Sequence, residues 1–414
     1  QQIYSCKGRP PALAPNQAPI KRSPEGEIDL ATSIKTPAFI TDKKILDQEF
    51  CALRKIADEA SCKFLYSPKA NSLPVVLRTA IKYVDGFGCS SPYELELVDR
   101  VCGPDTSCHL VGPLLTEAML HAAGDRLDYL TFNSLSQRDR LHPLVPGPVQ
   151  CGIRVNPELS FIHDPRYDPC RQNSKLGVPI SELTRVSASN PDLLRGINGL
   201  HFHTNCDGTD FASLLATARH IQDLVPELLE NLDWVNMGGG YLFDSADDKT
   251  DFFHAVEIFR DGFGLQVFIE PGAALTRRAG IIEATVHDLF DSGGVQIAVL
   301  DTTVNHMAEV FEFQFEPDVL GHVDGGVHDY ILAGCTCLAG DIFGEYAFDT
   351  PLCIGSKVTF LNMGAYTFSK AHRFNGVGLP TLCTREKDGS LKITHEDSFD
   401  AFARTMGMAN NAIV

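Results

Sequence analysis

GLHFHTNCDGTDFASLLATARHIQDLVPELLENLDWVNMGGG, residues 199–240, reads as a strand, a helix and a second strand. GLHFHT (199–204) and DWVNMG (233–238) are short β-type runs, and ASLLATARHIQDLVPELLENL between them places apolar residues at roughly the helical period. The same alternation recurs on both sides. Further strand candidates are PAFIT (37–41), KFLYS (63–67), SCHLVG (107–112), YLTFNS (129–134), CGIRV (151–155) and LQVFIEPG (265–272). A strand-and-helix unit repeated about eight times over some 250 residues is the arithmetic of a (β/α)8 barrel. A doubly wound open sheet is the rival, but no GxGxxG opens an early helix.

Near residue 280 the texture changes. ATVHDLFD (284–291), VQIAVLD (295–301), YILAGCT (330–336) and KVTFLNMG (357–364) are strands joined by turn chemistry, with few helical windows between them. That pattern predicts an antiparallel β domain at the C-terminal end of an α/β chain. The expected division is an extended, Pro-rich arm over 1–36, a barrel over 37–282 and a β domain over 283–414. The β domain is also expected to borrow a strand from the region before about residue 48.

Composition narrows the function. The 414 residues carry 35 Lys plus Arg against 53 Asp plus Glu, a formal charge of −18. So acidic a chain lacks the basic face that a nucleic-acid backbone requires, and cationic small molecules suit it better. No apolar run reaches the 18 or so residues of a membrane span. The first 24 residues lack the charged-then-apolar pattern of a signal peptide. The thirteen cysteines are scattered and form no CxxC pair, which fits reduced thiols in the cytoplasm.

Several residues stand where barrel enzymes keep their chemistry, at the C-terminal ends of strands. Lys69 in YSPKAN is a solvated loop lysine or a Schiff-base nucleophile. His201 and His203, two apart, project to one face, as hydrogen-bonded core histidines, as a metal pair of the hydrolase type, or with His203 stacked on a planar cofactor. Gly238, Gly239 and Gly240 follow a strand directly; an ordinary turn accounts for them, and so does a backbone nest around an anion. Glu270 ends an apolar strand before Pro271 and Gly272, where it is a turn residue or a carboxylate paired with a pyridine nitrogen. In the β domain, GCTCLAGD (334–341) carries Cys337 and Asp341, and NMGAYTFSKAHRFNG (362–376) carries Tyr366.

Taken in order, KAN, HFHTNC, GGG, EPG, GCTCLAGD and NMGAYT…FNG resemble the fold-type III, pyridoxal-phosphate-dependent decarboxylases of basic amino acids. Four stretches, FNSLSQ (132–137), YDPCRQNSKLGV (167–178), GLHFHTNC (199–206) and CLAGDIFGEY (337–346), look like the carboxynorspermidine/carboxyspermidine decarboxylases within that family. The resemblance implies an alanine-racemase-like barrel, pyridoxal 5'-phosphate as cofactor, and a homodimer with shared active sites. Lys69 would anchor the cofactor covalently and His203 would stack on its ring. Glu270 would pair with the ring nitrogen, and Arg154 would brace the site. Cys206, Gly238, Gly239, Gly240, Gly272 and Tyr366 would hold the phosphate. Cys337 would reach the partner subunit's site and help protonate the product. Asp341 would bind a distal amine of the substrate, with His306, Glu309 and Glu312 as further substrate contacts.

Two departures bear on substrate. Ala273 follows EPG where ornithine and diaminopimelate enzymes place arginine, which removes a cation for a second carboxylate. Leu338 follows Cys337 where ornithine enzymes carry aspartate. The expected reaction is decarboxylation of a carboxylated polyamine. Alternatives are another basic amino acid (ornithine, lysine or diaminopimelate) or a natural-product precursor. From other classes come a non-catalytic regulator on the same fold and a metal-dependent hydrolase using His201 and His203.

Overall fold

The computed structural model describes residues 34–408, so residues 1–33 of the expected arm lie outside the described residues. The chain divides into two compact units, one spanning 43–277 and the other combining the segment before Lys43 with the chain from Arg278 onward.

The first unit is a closed parallel barrel. Its strands are Lys63–Tyr66, Gly86–Cys89, Cys108–Val111, Tyr129–Phe132, Gln150–Asn156, Gly199–His201, Trp234–Asn236 and Gln266–Ile269. Closure comes from Gln266–Ile269 pairing with Lys63–Tyr66 and from Tyr129–Phe132 pairing with Gln150–Asn156. Helices connect the strands. The 18-residue helix Lys43–Ala60 buries Leu46, Phe50, Leu53, Ala57 and Ala60, one apolar stripe at steps of three and four. Two later helices start with reciprocal caps. Ser91 Oγ accepts from Glu94 N at 3.2 Å while Glu94 Oε2 accepts from Ser90 N at 2.6 Å. Ser134 Oγ accepts from Gln137 N at 3.1 Å, and Gln137 Oε1 accepts from Asn133 N at 2.9 Å.

Inward positions along the strands follow a period of two. Towards their N-terminal ends Leu65, Trp234 and Phe268 form a buried cluster with Tyr129 against it, and His109 stacks on Tyr129 at 4.0 Å. Gly152 and Gly199 make this possible: a Cβ on them would lie 2.4 and 2.0 Å from the Trp234 ring. The indole fills the space those two strands leave empty.

The second unit is a mainly antiparallel sheet in the order Ile342–Phe348, His328–Ala333, Val295–Leu300, Gly280–Ser292, Ala38–Asp42, Thr381–Arg385 and Leu391–His395, with Lys357–Phe360 also on Gly280–Ser292. Two pairings are parallel, Val295–Leu300 with His328–Ala333 and Ala38–Asp42 with Thr381–Arg385.

Two expectations are corrected. PAFIT is not a barrel strand: Ala38–Asp42 pairs with Gly280–Ser292 and Thr381–Arg385, so the barrel unit begins at Lys43 and not at 37. At its other end that unit closes at Arg277, before 282, because Gly280 already belongs to the sheet. The barrel strand that the reading lacked is Gly86–Cys89, whose sequence GFGC has no apolar run to recognise.

Candidate active site

Continuing the period of two past the indole layer brings Lys69, Ser90, Val111, Arg154, His201, His203 and Glu270 to one cavity of about 330 Å³ at the C-terminal ends of the strands. Cys206 and the segment from Arg166 to Leu176 complete its wall.

Glu270 lies at the base, one position beyond Gln266–Ile269, and is buried. Its Oε1 accepts a hydrogen bond from Asn236 Nδ2 at 2.8 Å, and its Oε2 lies 3.6 Å from His201 Nε2. Burial alone would raise this carboxyl, but the His201 ring, the Lys69 charge and the Asn236 amide hold it well below the usual carboxylate range. It is an anion throughout the physiological range. Gly88 leaves the space it occupies, since a Cβ there would lie 2.9 Å from Oε1.

The two histidines of HFH are engaged differently. His201 is fully enclosed, burial pushes its ring below ordinary imidazole against the pull of Glu270, and neither nitrogen has a hydrogen-bond partner among the described residues. His203 accepts from Gly239 N through Nδ1 at 3.1 Å, which places its proton on Nε2. Burial, then Lys69 and Arg154, push the His203 ring well below ordinary imidazole. It is a neutral flat ring facing the cavity. Among the described residues no group of three or more His, Cys, Asp or Glu could hold a metal ion.

The three glycines are demanded by geometry. Gly238 and Gly240 have φ of 68° and 92°, and a Cβ on Gly239 or Gly240 would lie 2.1 Å from the Glu270 carbonyl or 1.9 Å from that of Asn205. Gly238 N donates to Asn236 Oδ1 at 2.9 Å and Gly239 N to His203, so the Gly240 N–H stays unpaired among the described residues. Gly272 precedes the short helix Ala273–Thr276. Arg154 is buried on Gln150–Asn156 with its Nε unpartnered, and Glu270 supplies the opposing charge. Cys206 is exposed at the cavity wall, its Sγ 3.7 Å from the Tyr167 carbonyl.

Two functional residues escaped the sequence reading. Asn236 joins Glu270 to the Gly238 amide. Asn133, in FNSLSQ, holds the segment that walls the cavity, donating to Lys175 O at 2.8 Å and accepting from Gly177 N at 3.0 Å. Both lie in quoted motifs, and a polar residue at an inward position of a short strand was the available signal.

The remaining candidates lie in the sheet unit. Cys337 is exposed, and its N–H donates to Asn375 Oδ1 at 2.8 Å, tying GCTCLAGD to the FNG turn. Tyr366 has a left-handed backbone, φ 57°. Lys370 Nζ bridges Glu309 at 3.0 Å and Glu312 at 2.6 Å. His306 is buried, with Nδ1 at 3.1 Å from Thr302 Oγ1 and its ring pushed down to about 4 by burial. Asp341 is tied into its own loop. Its buried carboxylate accepts from Val304 N at 2.8 Å, Thr336 N at 3.0 Å and Thr336 Oγ1 at 2.5 Å, which staples the GCTCLAGD loop.

The barrel residues fit pyridoxal phosphate. A glycine cradle with a spare N–H suits a phosphate, a neutral flat ring suits stacking, and a buried anion suits a protonated pyridine nitrogen. An exposed lysine at the rim suits covalent attachment to the aldehyde. The unpartnered nitrogens of His201 and Arg154 are polar atoms that such a site would be expected to serve.

Comparison with known proteins points the same way. Residues 46–277 match the pyridoxal-binding domain of the pyridoxal-dependent decarboxylases. The carboxynorspermidine/carboxyspermidine decarboxylase of Herminiimonas arsenicoxydans is 31% identical over 378 residues, 90% of this chain and 100% of that one. The carboxyaminopropylagmatine decarboxylase of Synechocystis is 30% identical, covering 91% and 96%. The crystal structure of Campylobacter jejuni carboxynorspermidine decarboxylase with norspermidine superposes with a TM-score of 0.81 at 28% identity, covering 90% and 100%. With this barrel, this cavity and that match, the chain belongs to the pyridoxal-phosphate-dependent decarboxylase family and is a carboxy-lyase.

Proposed function

We propose that this decarboxylase acts on a carboxylated polyamine of the carboxynorspermidine or carboxyspermidine class, in polyamine biosynthesis. The observation that carries the reading is Ala273 directly after Glu270-Pro271-Gly272. A residue without charge opens the short helix there, so position 273 offers no cation to a second carboxylate. The names of the two relatives at 30–31% identity, both decarboxylases of carboxylated polyamine-type compounds, agree with this.

When bound, pyridoxal phosphate supplies the electron sink into which the bond between Cα and the carboxylate breaks. The chain's own residues bind, orient and move protons. Lys69 would anchor the cofactor through Nζ and carry a proton on the same atom. Glu270 would hold the ring nitrogen protonated, with His203 as the stacking partner and Arg154 bracing the site. Gly238, Gly239, Gly240, Gly272, Cys206 and Tyr366 would hold the phosphate. Cys337 offers its exposed thiol as proton donor at the partner subunit's site, in a cytoplasmic homodimer. The twelve cysteines among the described residues are all free, as a reducing compartment would keep them. Glu309 and Glu312, which already hold the Lys370 ammonium, serve the distal amines, and His306 stands one turn before them.

Carbon dioxide release from a panel of carboxynorspermidine, carboxyspermidine, carboxyaminopropylagmatine, ornithine, lysine and meso-diaminopimelate tests this. The carboxylated polyamines should lead by kcat/KM. A panel led by meso-diaminopimelate or ornithine overturns the substrate class.

A further inference from the structure

The carboxylate of Glu270 meets a side chain at each oxygen, hydrogen-bonded at Oε1 and closely approached at Oε2. Asn236 Nδ2 donates to Oε1 at 2.8 Å, and Asn236 Oδ1 accepts the Gly238 N–H at 2.9 Å. One amide thus fixes Glu270 to the start of the glycine cradle. On the other side His201 Nε2 faces Oε2 at 3.6 Å from a ring with no other partner. Asn236, His201 and Glu270 are all buried, on three adjacent strands whose register sets Asn236 opposite both His201 and Phe268. The amide is chemically specific. An aspartate in its place would set two carboxylates within hydrogen-bond distance in a buried site, where they share a proton.

We propose that Asn236 and His201 are positioning residues that keep Glu270 ionised and aimed at the pyridine nitrogen, Asn236 acting also on the Gly238–Gly240 cradle. The inference rests on Glu270 being the ring-nitrogen partner. The charged and titratable groups that bear on Glu270 from the surrounding strands and their ends are His201, His203, Lys69, Arg154, His109 and Cys89. None of them reproduces the Asn236 contact, because among these groups none is hydrogen-bonded to Oε1.

The test uses the holoenzyme and its apoprotein, with Asn236→Asp, Asn236→Leu, His201→Phe and, as reference, Glu270→Gln. Three quantities are read: pyridoxal phosphate affinity by titration of the apoprotein, the visible band of the bound cofactor across pH, and kcat separately from KM. Asn236→Asp should make the band titrate at pH values where the wild-type band is constant, because the new carboxylate pair takes up a proton. In Asn236→Leu and His201→Phe, kcat should fall about 10-fold or more with KM within about 3-fold, the split expected for a contact that matters in the transition state. A wild-type band and wild-type kcat in Asn236→Asp overturn the inference, as does a loss in all three variants that is restored by saturating cofactor. If Asn236→Asp does not fold, the spectrum and kcat of Asn236→Leu decide alone. If Glu270→Gln leaves band and rate unchanged, the Glu270 role fails. A strong Glu270→Gln effect with silent Asn236 and His201 variants sinks only this inference.

Discussion

The Asn133 side chain accepts the Gly177 backbone N–H at 3.0 Å, so the end of a barrel strand holds the end of the segment that walls the cavity. Its amide also donates to Lys175 O at 2.8 Å, and Gln137 binds the Asn133 backbone while reaching Pro113 O at 2.8 Å. Gly177 has φ 90°, and a Cβ there would lie 2.8 Å from Asn156 N, so the segment passes where only a glycine fits. This places FNSLSQ and YDPCRQNSKLGV in one hydrogen-bonded unit.

Asn133→Ala leaves a backbone donor and acceptor unpaired beside the cavity, at a cost of about 1–3 kcal/mol for such a group. The melting temperature should drop by a few degrees. KM should rise more than kcat falls, because the wall from Arg166 to Leu176 loses its tether. A variant with wild-type KM and stability contradicts the tether.

Lys69→Ala should abolish the visible cofactor band that borohydride removes, and turnover should fall by several orders of magnitude, since anchor and proton carrier are lost together. Near-wild-type decarboxylation would remove Lys69 from the reaction.

Mixing inactive Lys69→Ala with inactive Cys337→Ala subunits should restore part of the activity if Cys337 serves the partner's site, because one site of the hybrid then carries both native residues. No recovery, with subunit exchange shown by size or label, places Cys337 elsewhere.

Acid stability should carry a signature of the sheet unit. Arg373 donates to both oxygens of Asp397 at 2.8 Å and Leu379 N adds a third bond, which lowers that carboxyl to about 2. An unfolded aspartate titrates at about 3.9. Stability from the depressed carboxyl is therefore complete above that value and lost as pH falls through about 2. Asp397→Asn should cost about 1–2 kcal/mol at neutral pH, with the difference from wild type shrinking on acidification. A difference that stays constant from pH 7 to pH 2 would mean the charge is irrelevant.

Gly199→Ala should be severely destabilising, on the order of 3 kcal/mol or more, because its methyl would need the space of the buried Trp234 ring in a wall that has no room to shift. A paired Gly199→Ala, Trp234→Leu variant should recover part of the loss in denaturant unfolding. An unaffected single variant would show that the indole moves.

The sequence by itself determined the barrel's rhythm and its chemistry-bearing strand ends. Helices such as Lys43–Ala60 announce themselves by a stripe at every third or fourth residue, and Lys69, His203, the three glycines and Glu270 all follow apolar strands, because side-chain period and turn chemistry are local. Tertiary structure alone decided which strands close the barrel. In the wall strand GFGC, Gly88 makes room for Glu270, and PAFIT left the barrel because its pairing partners lie more than 200 residues away in the chain. The same holds for Asp341, whose motif marks a carboxylate but not the hydrogen bonds that Val304 and Thr336 donate to it. Hydrogen-bond saturation and close packing depend on distant chain segments meeting, and no local pattern records that.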